Sequence, residues 1–229
     1  VNIRRTEKDE IRGRSKSDVH RIRRKKRDDK MTTETRLEAD SIGTMEVPAE
    51  AYYGVQALRA KQNFPITGTK LHPVFIRNLA QIKKAAAITN NNAGLLPEDK
   101  ADAIVKACDE VIAGKLAEEF IVDAIQGGAG TSANMNMNEV IANRAGEILG
   151  CPKGSYKMVH PNDHVNMAQS TNDVIPTAGK LTVLDLLAPL EKALVRLEKE
   201  LAKKAEEFDD VITMGPVSYT HLRAHETRG

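Results

Sequence analysis

The feature that most restricts the fold is a ladder of leucines late in the chain. Leu187, Leu190, Leu194, Leu197 and Leu201 recur at alternating spacings of three and four, and Phe208 follows one heptad beyond Leu201. On an α-helix this spacing puts every member on one narrow seam, the a/d pattern of helices packed along their length. Glu191, Lys192, Arg196, Glu198 and Lys199 occupy the other faces. The pattern predicts one long helix whose stripe needs partner helices, and the chain supplies few after it. The expectation is a bundle completed by further sequence, by other subunits, or by both.

Composition agrees with a helical reading. Aromatic residues make up 3% of the 229 and Trp is absent, although 41% of residues are hydrophobic. A core so poor in rings has to be built from Ala, Leu, Ile, Val and Met, which suits packed helices better than sheets. Cys108 and Cys151 stand in no CxxC or CxxH spacing, so neither a zinc site nor a disulfide framework is indicated. No apolar run approaches the roughly 18 residues of a membrane span, and no secretory segment opens the chain. A soluble, cytoplasmic protein is expected, with no membrane contact.

The net charge of +2 hides an uneven distribution. Residues 1–30 hold 13 Lys/Arg against 6 Asp/Glu and almost no apolar residues, so they cannot bury a face. One reading is a basic arm for nucleic acid or for targeting. The preferred reading is a disordered leader upstream of a start at Met31, and the body that follows is acidic, which argues against nucleic acid as a partner. The closing stretch 216–229 (PVSYTHLRAHETRG) breaks the helical period as sharply. It resembles the in-frame translation of a transposase-type sequencing adapter.

Between these ends, residues 35–63 carry signals for a small hairpin and a loop. Helical periodicity follows over 71–90 and 99–113, with stop and start signals at Asn91–Gly94 and Pro97. A third helix is expected over 134–149, closed by Gly150, and the leucine helix after it.

Two strings carry candidate chemistry. In GGAGTSANMNMNEV, three glycines in four residues precede a helix, and the donors Thr131, Ser132 and Asn134 follow. A helix N-terminus offers unpaired N–H groups and the positive end of the helix dipole, which suits an anion. An ordinary glycine turn with an N-cap reads the same residues. In QSTNDVIPTA, the consecutive donors Ser170, Thr171 and Asn172 open the leucine helix. A capping box explains one or two of these, not all three. Two such helix starts converging on one point would make a carboxylate pocket. His160 and His164 frame PNDH, but no HExxH glutamate accompanies them and Pro161 disfavours an uninterrupted helix, so no metal site is assigned.

Together, GGAGTSANMNMNEV, HPNDHVNMAQSTNDVIPTA and VPAEAYYGVQALRAKQNFPITG resemble the aspartase/fumarase superfamily over essentially all of 31–215. GGAGTS and QSTND look like the ammonia-lyase branch, where fumarases tend to read GSGTQS and QSSND. The resemblance implies a mainly α fold: an N-terminal helical lyase domain over 31–171, and the first long helix of a central helix bundle over 172–215. It also implies elimination of ammonia from L-aspartate to give fumarate through an aci-carboxylate, without a cofactor, in a homotetramer whose sites are shared between subunits.

By match to the family motif, Thr131, Ser170 and Thr171 hold the β-carboxylate and Asn172 contacts the amino group. Arg59 in QALRA is a candidate for supporting the site, with an ordinary surface arginine as the other reading. In fumarases the HPND segment lines a secondary anion site, so His160, Asn162 and Asp163 are candidates for a similar role, beside a loop-packing reading. The family's base, a serine in a mobile GSS loop, is expected beyond Gly215, so no catalytic residue is assigned within this chain. Thr220-His221-Leu222 looks like the family's Thr-His pair but falls late and within the closing stretch, and is read as coincidence.

Overall fold

The computed structural model describes residues 34–212. The expectations for 1–30 and 216–229 lie outside the described residues. By compactness the chain divides into two units, Val1–Thr182 and Val183–Gly229, a division inside the long helix.

The described part of the first unit opens with an antiparallel hairpin, β1 (Thr35–Ala39) and β2 (Thr44–Pro48), in which Leu37 pairs with Glu46. Asp40 closes its turn by accepting from the Ile42 and Gly43 amides. Arg36 gathers the chain that leaves the hairpin: its guanidinium donates to the carbonyls of Pro48, Ala49, Ala51 and Tyr53 and to the Glu38 carboxylate. Residues 49–53 therefore form an ordered strap, with the remaining carbonyls of Glu50 and Tyr52 met by Lys153 and Asn143.

Helix α1 (Val55–Asn63) follows where the sequence suggested only a loop. It begins after Gly54 with no side-chain cap of its own. Its N-terminal amides are met from a distant part of the chain: Glu139 accepts from Gly54, Gln56 and Ala57, and Glu38 from Val55. A helix stabilised this way leaves little local signal.

Helices α2 (Pro73–Asn92) and α3 (Glu98–Ile112) pack as a helical hairpin across the turn 93–97. His72 caps α2, its Nδ1 accepting from the Val74 amide, and Pro73 takes the first helical position, where its missing N–H costs nothing. Glu98 and Asp99 put negative charge at the positive end of α3. Helix α4 (Thr131–Ile148) starts three residues earlier than its periodicity suggests, and from Ala133 to Asn143 every residue is buried. Leu79, Ile104, Ala107, Met137 and Ile141 form the centre of the core, and Ala80, Ala103, Ala142 and Ala145 let the helices approach closely.

The last helix, α5, runs Thr171–Glu207. In its first turns Val174 and Ala178 are buried. In the second unit its residues are exposed on every side, and the seam leucines are each more than half exposed, from 51% at Leu187 to 61% at Leu201. The chain is mainly helical, as its periodicities indicated.

Candidate functional site

The first polar string is a loop whose backbone only small residues tolerate. Gly128, Ala129 and Gly130 are all left-handed, with φ of 71°, 51° and 91°. A Cβ on Gly130 would lie 2.8 Å from Ile175 Cγ2, so the start of α4 is pressed against the start of α5. A Cβ on Gly127 would lie 2.9 Å from the Phe64 ring. The glycines therefore answer to conformation at one end and to close approach at the other.

Thr131 is the first residue of α4 and is exposed, its hydroxyl donating to the Gly128 carbonyl at 2.6 Å. The Ala133 amide, one of the helix's orphan donors, is met by Gln126 Oε1 at 2.6 Å. Gln126 thus acts as a cap from before the glycine loop.

The second string opens α5. Ser170 sits at the cap: its carbonyl accepts from the Asp173 and Val174 amides, and its hydroxyl accepts from the Asn172 amide at 3.2 Å. Thr171 is half-buried and Asn172 exposed. The two helix starts are tied together by Asn134, a buried residue of α4 whose Nδ2 donates to Thr171 Oγ1 at 3.0 Å and to Asn166 Oδ1 at 3.2 Å. Ser170 and Asn172 flank Thr171 in the chain, so this bond sets the start of α5 beside the first turn of α4. Beside it lies an apolar cavity of about 530 Å³, lined by Leu71, Phe75, Gln126, Gly130, Ala133 and Ile175.

The HPND segment forms a short turn of its own, Pro161–Val165. His160 Nδ1 accepts from the Asp163 amide and lies 3.2 Å from Asp163 Oδ2, and its ring meets Tyr156 edge to face. His164 Nδ1 accepts from the His160 amide at 2.8 Å, while its Nε2 lies 3.0 Å from Lys100 Nζ. Burial, and then the Lys100 charge, hold His164 below the ordinary histidine range. Asn162 and Asp163 are exposed. The contacts of His160 and Asp163 stay within this turn and with Tyr156, apart from Thr131 and Ser170–Asn172.

Arg59 projects from α1 to the hairpin. Its Nε and Nη2 make a two-pronged pair with Asp40 at 2.9 and 3.0 Å, and the hydrogen bonds from Arg59 hold the Asp40 carboxyl below its usual range. This is the geometry of a turn anchor.

Sequence reasoning missed Lys83. It is fully enclosed, with Nζ donating to Asn166 Oδ1 at 2.8 Å, and burial pulls its pKa down to about 7. The signal was present: Lys83 stands on the apolar stripe of α2 that includes Ile76, Leu79, Ala80 and Ala87, where a lysine has no bland explanation. Among the described residues no cluster of His, Cys, Asp or Glu has the makings of a metal centre.

Comparison with known proteins gives consistent results. Residues 43–226 match the protein family described as Lyase. The chain is 54% identical over 193 residues to an aspartate ammonia-lyase of a Bacillus species, covering 84% of this chain and 41% of that protein. It is 52% identical over 194 residues to the class II fumarate hydratase of Halobacterium salinarum, covering 84% and 40%. Among solved structures, the fumarate lyase:delta crystallin of Brucella melitensis matches with a TM-score of 0.73 and 52% identity, over 80% of this chain and 43% of that one. The chain spans about 40% of the length of the curated relatives it matches.

Proposed function

The chain belongs to the lyase family, and from that membership we propose that it is part of an aspartate ammonia-lyase, which eliminates ammonia from L-aspartate to give fumarate. The observation that supports this reading is the Asn134–Thr171 hydrogen bond, which ties the two donor-rich helix entrances together.

In the proposed reaction a base removes a proton from C3, the β-carboxylate takes up the electron pair as an aci-carboxylate dianion, and the C2–N bond then breaks as the double bond forms. The C3 proton is weakly acidic, so the reaction depends on fixed donors aimed at the carboxylate as its charge grows. Ser170 and Thr171 are assigned to that carboxylate, together with Thr131 once its hydroxyl turns from the Gly128 carbonyl to the substrate, and Asn172 to the amino group. Helix starts suit the task because their dipoles add positive potential without reorganisation. The base is assigned to a later segment of the full-length protein, and His160, Asn162 and Asp163 to a secondary anion-binding surface.

The exposed leucine seam of α5 supports assembly through a helix bundle with other subunits, in keeping with a homotetramer. No helix among the described residues is long and apolar enough to cross a membrane, and Cys108 and Cys151 are free thiols, which favours a cytoplasmic setting.

The 52% identity to a class II fumarate hydratase supports a second reading, in which L-malate and fumarate are the substrates. Supplying the full-length protein with L-aspartate or L-malate and following fumarate absorbance decides between them. Fumarate from aspartate alone is the expected result, and fumarate from malate alone transfers the assignment to the second reading.

A further inference from the structure

A buried lysine is costly to keep unless something uses it, because burial penalises the charged form. Lys83 has its side chain fully enclosed in the first unit, and it donates to an amide oxygen, not to a carboxylate. Nothing in the proposed chemistry so far employs it.

The hydrogen bonds leading away from Lys83 have a direction. An ammonium can only donate. Asn166 must therefore turn Oδ1 toward Lys83, at 2.8 Å, which leaves its Nδ2 to donate to the Gln169 carbonyl at 3.1 Å. The same Oδ1 receives Asn134 Nδ2 at 3.2 Å, so Asn134 is fixed with its NH2 toward Asn166. That NH2 also donates to Thr171 Oγ1 at 3.0 Å. The Thr171 oxygen is thus an acceptor on its inner side, and its proton is left for a partner on the outer side, at the entrance to α5.

An amide side chain can reverse its ends and a hydroxyl can rotate, so without a fixed member this chain of bonds could run either way. Two members cannot reverse: the Gln169 carbonyl, which only accepts, and Lys83 in its protonated form, which only donates and is the one that carries charge. A carboxylate needs donors and is repelled by lone pairs, so the direction of the Thr171 hydroxyl decides whether it attracts or opposes such a ligand.

We propose that Lys83 is a positioning residue of the dicarboxylate site: through Asn166 and Asn134 its buried ammonium makes the Thr171 hydroxyl present its proton to a substrate carboxylate. The inference rests on the reading of Thr171 as a carboxylate ligand. Lys83 itself touches no substrate. Burial works against the charged form, lowering the Lys83 pKa to about 7, and an anion at the Thr171 end would favour the protonated lysine that the relay needs.

The test uses the full-length protein labelled with ¹⁵N, in wild-type, Lys83→Met, Lys83→Arg and Thr171→Val forms, with fumarate as the probe. In the wild type, the side-chain amides of Asn134 and Asn166 each give one set of resonances, and the Lys83 Nζ resonance moves when fumarate is added. Lys83→Met splits those amides into two orientations and raises the fumarate Kd about tenfold, the scale of one charge-assisted hydrogen bond. Lys83→Arg retains single sets and most of the affinity. In the Thr171→Val background Lys83→Met produces no further loss, because the two act in series.

Unchanged amides in Lys83→Met, or an equal further loss in the Thr171→Val background, overturns the relay. Should Lys83→Met fail to fold, the wild type and Thr171→Val decide the matter. Fumarate must move the Lys83 Nζ resonance in the first and not in the second, and equal movement in both refutes the relay. If fumarate perturbs no form of the chain, the dicarboxylate reading fails instead, and the amide pattern still judges whether Lys83 orders Asn166 and Asn134.

Discussion

Glu139 offers a sharp test of how the first unit is held together. It is buried in α4, with Oε2 accepting from the amides of Gly54 and Ala57 at 2.9 and 3.0 Å and Oε1 from Gln56 at 2.9 Å. A Cβ on Gly54 would come within 2.7 Å of the Glu139 carboxyl carbon, so the carboxyl packs directly against the start of α1. Replacing Glu139 by Ala orphans three amides in the core, and at about 1 kcal/mol or more each the loss is at least ~3 kcal/mol. Glu139→Gln keeps an acceptor for two of the three and has the shape of the neutral acid.

Burial raises the Glu139 pKa from 4.5 to about 7, against the pull of the three amides. Between those values the native state holds a proton that the unfolded chain has released, so the contribution of Glu139 to stability is greatest below pH 4.5 and is lost as pH rises through 7. A separation of about 2.5 pH units at about 1.4 kcal/mol each sets the scale of that loss at ~3.5 kcal/mol. Urea unfolding followed by circular dichroism at pH 5, 6, 7 and 8 measures all three proteins. Glu139→Gln is expected within about 1 kcal/mol of wild type at pH 5 and more stable than it at pH 8, with Glu139→Ala well below both at pH 5. A wild type that keeps or gains stability relative to Glu139→Gln from pH 5 to 8 would falsify the reasoning, because the three amides then outweigh burial and keep the carboxylate charged.

Other perturbations address the site and the assembly. In the full-length enzyme, Thr131→Ala or Ser170→Ala should lower kcat about 10²–10³-fold, the effect of removing one preorganised donor, with little change in melting temperature. Steady-state rates showing a tenfold loss or less would remove those residues from the carboxylate. Gly130→Ala, which forces a side chain onto a left-handed backbone and against Ile175, should cost about 1–3 kcal/mol in chemical denaturation and recover part of it with Ile175→Val. Arg59→Ala should destabilise the hairpin by about 1–3 kcal/mol while leaving kcat within twofold; a large fall in kcat with normal stability would place Arg59 in the site after all. Leu190→Glu with Leu194→Glu should abolish assembly in sedimentation experiments, and an unaltered oligomer would show that the seam is not an interface.

The two polar strings of the candidate site were legible because each is contiguous in the chain. Helix starts announce themselves locally, through Gly before Thr131 and through Ser170 before the leucine helix, and so does the a/d seam of α5. Their resemblance to a known family added roles for Thr131 and Ser170–Asn172. Helix α1 was not legible, since its cap is Glu139, a carboxylate more than eighty residues away whose position says nothing of Gly54. Lys83 was visible only as an oddity on an apolar stripe.

By itself, then, the sequence determined the helical periods, the polar helix entrances and the stripe that asks for partners, because each depends on spacings of three, four or seven residues. The tertiary structure alone decided that Asn134 would join the two entrances, that Lys83 would lie behind Thr171, and that Arg59 would be committed to Asp40. Those outcomes depend on which side chains meet across the core. Hydrogen-bond direction in particular is a property of a closed network, in which each donor is fixed by the acceptor beyond it, and no single residue carries it alone.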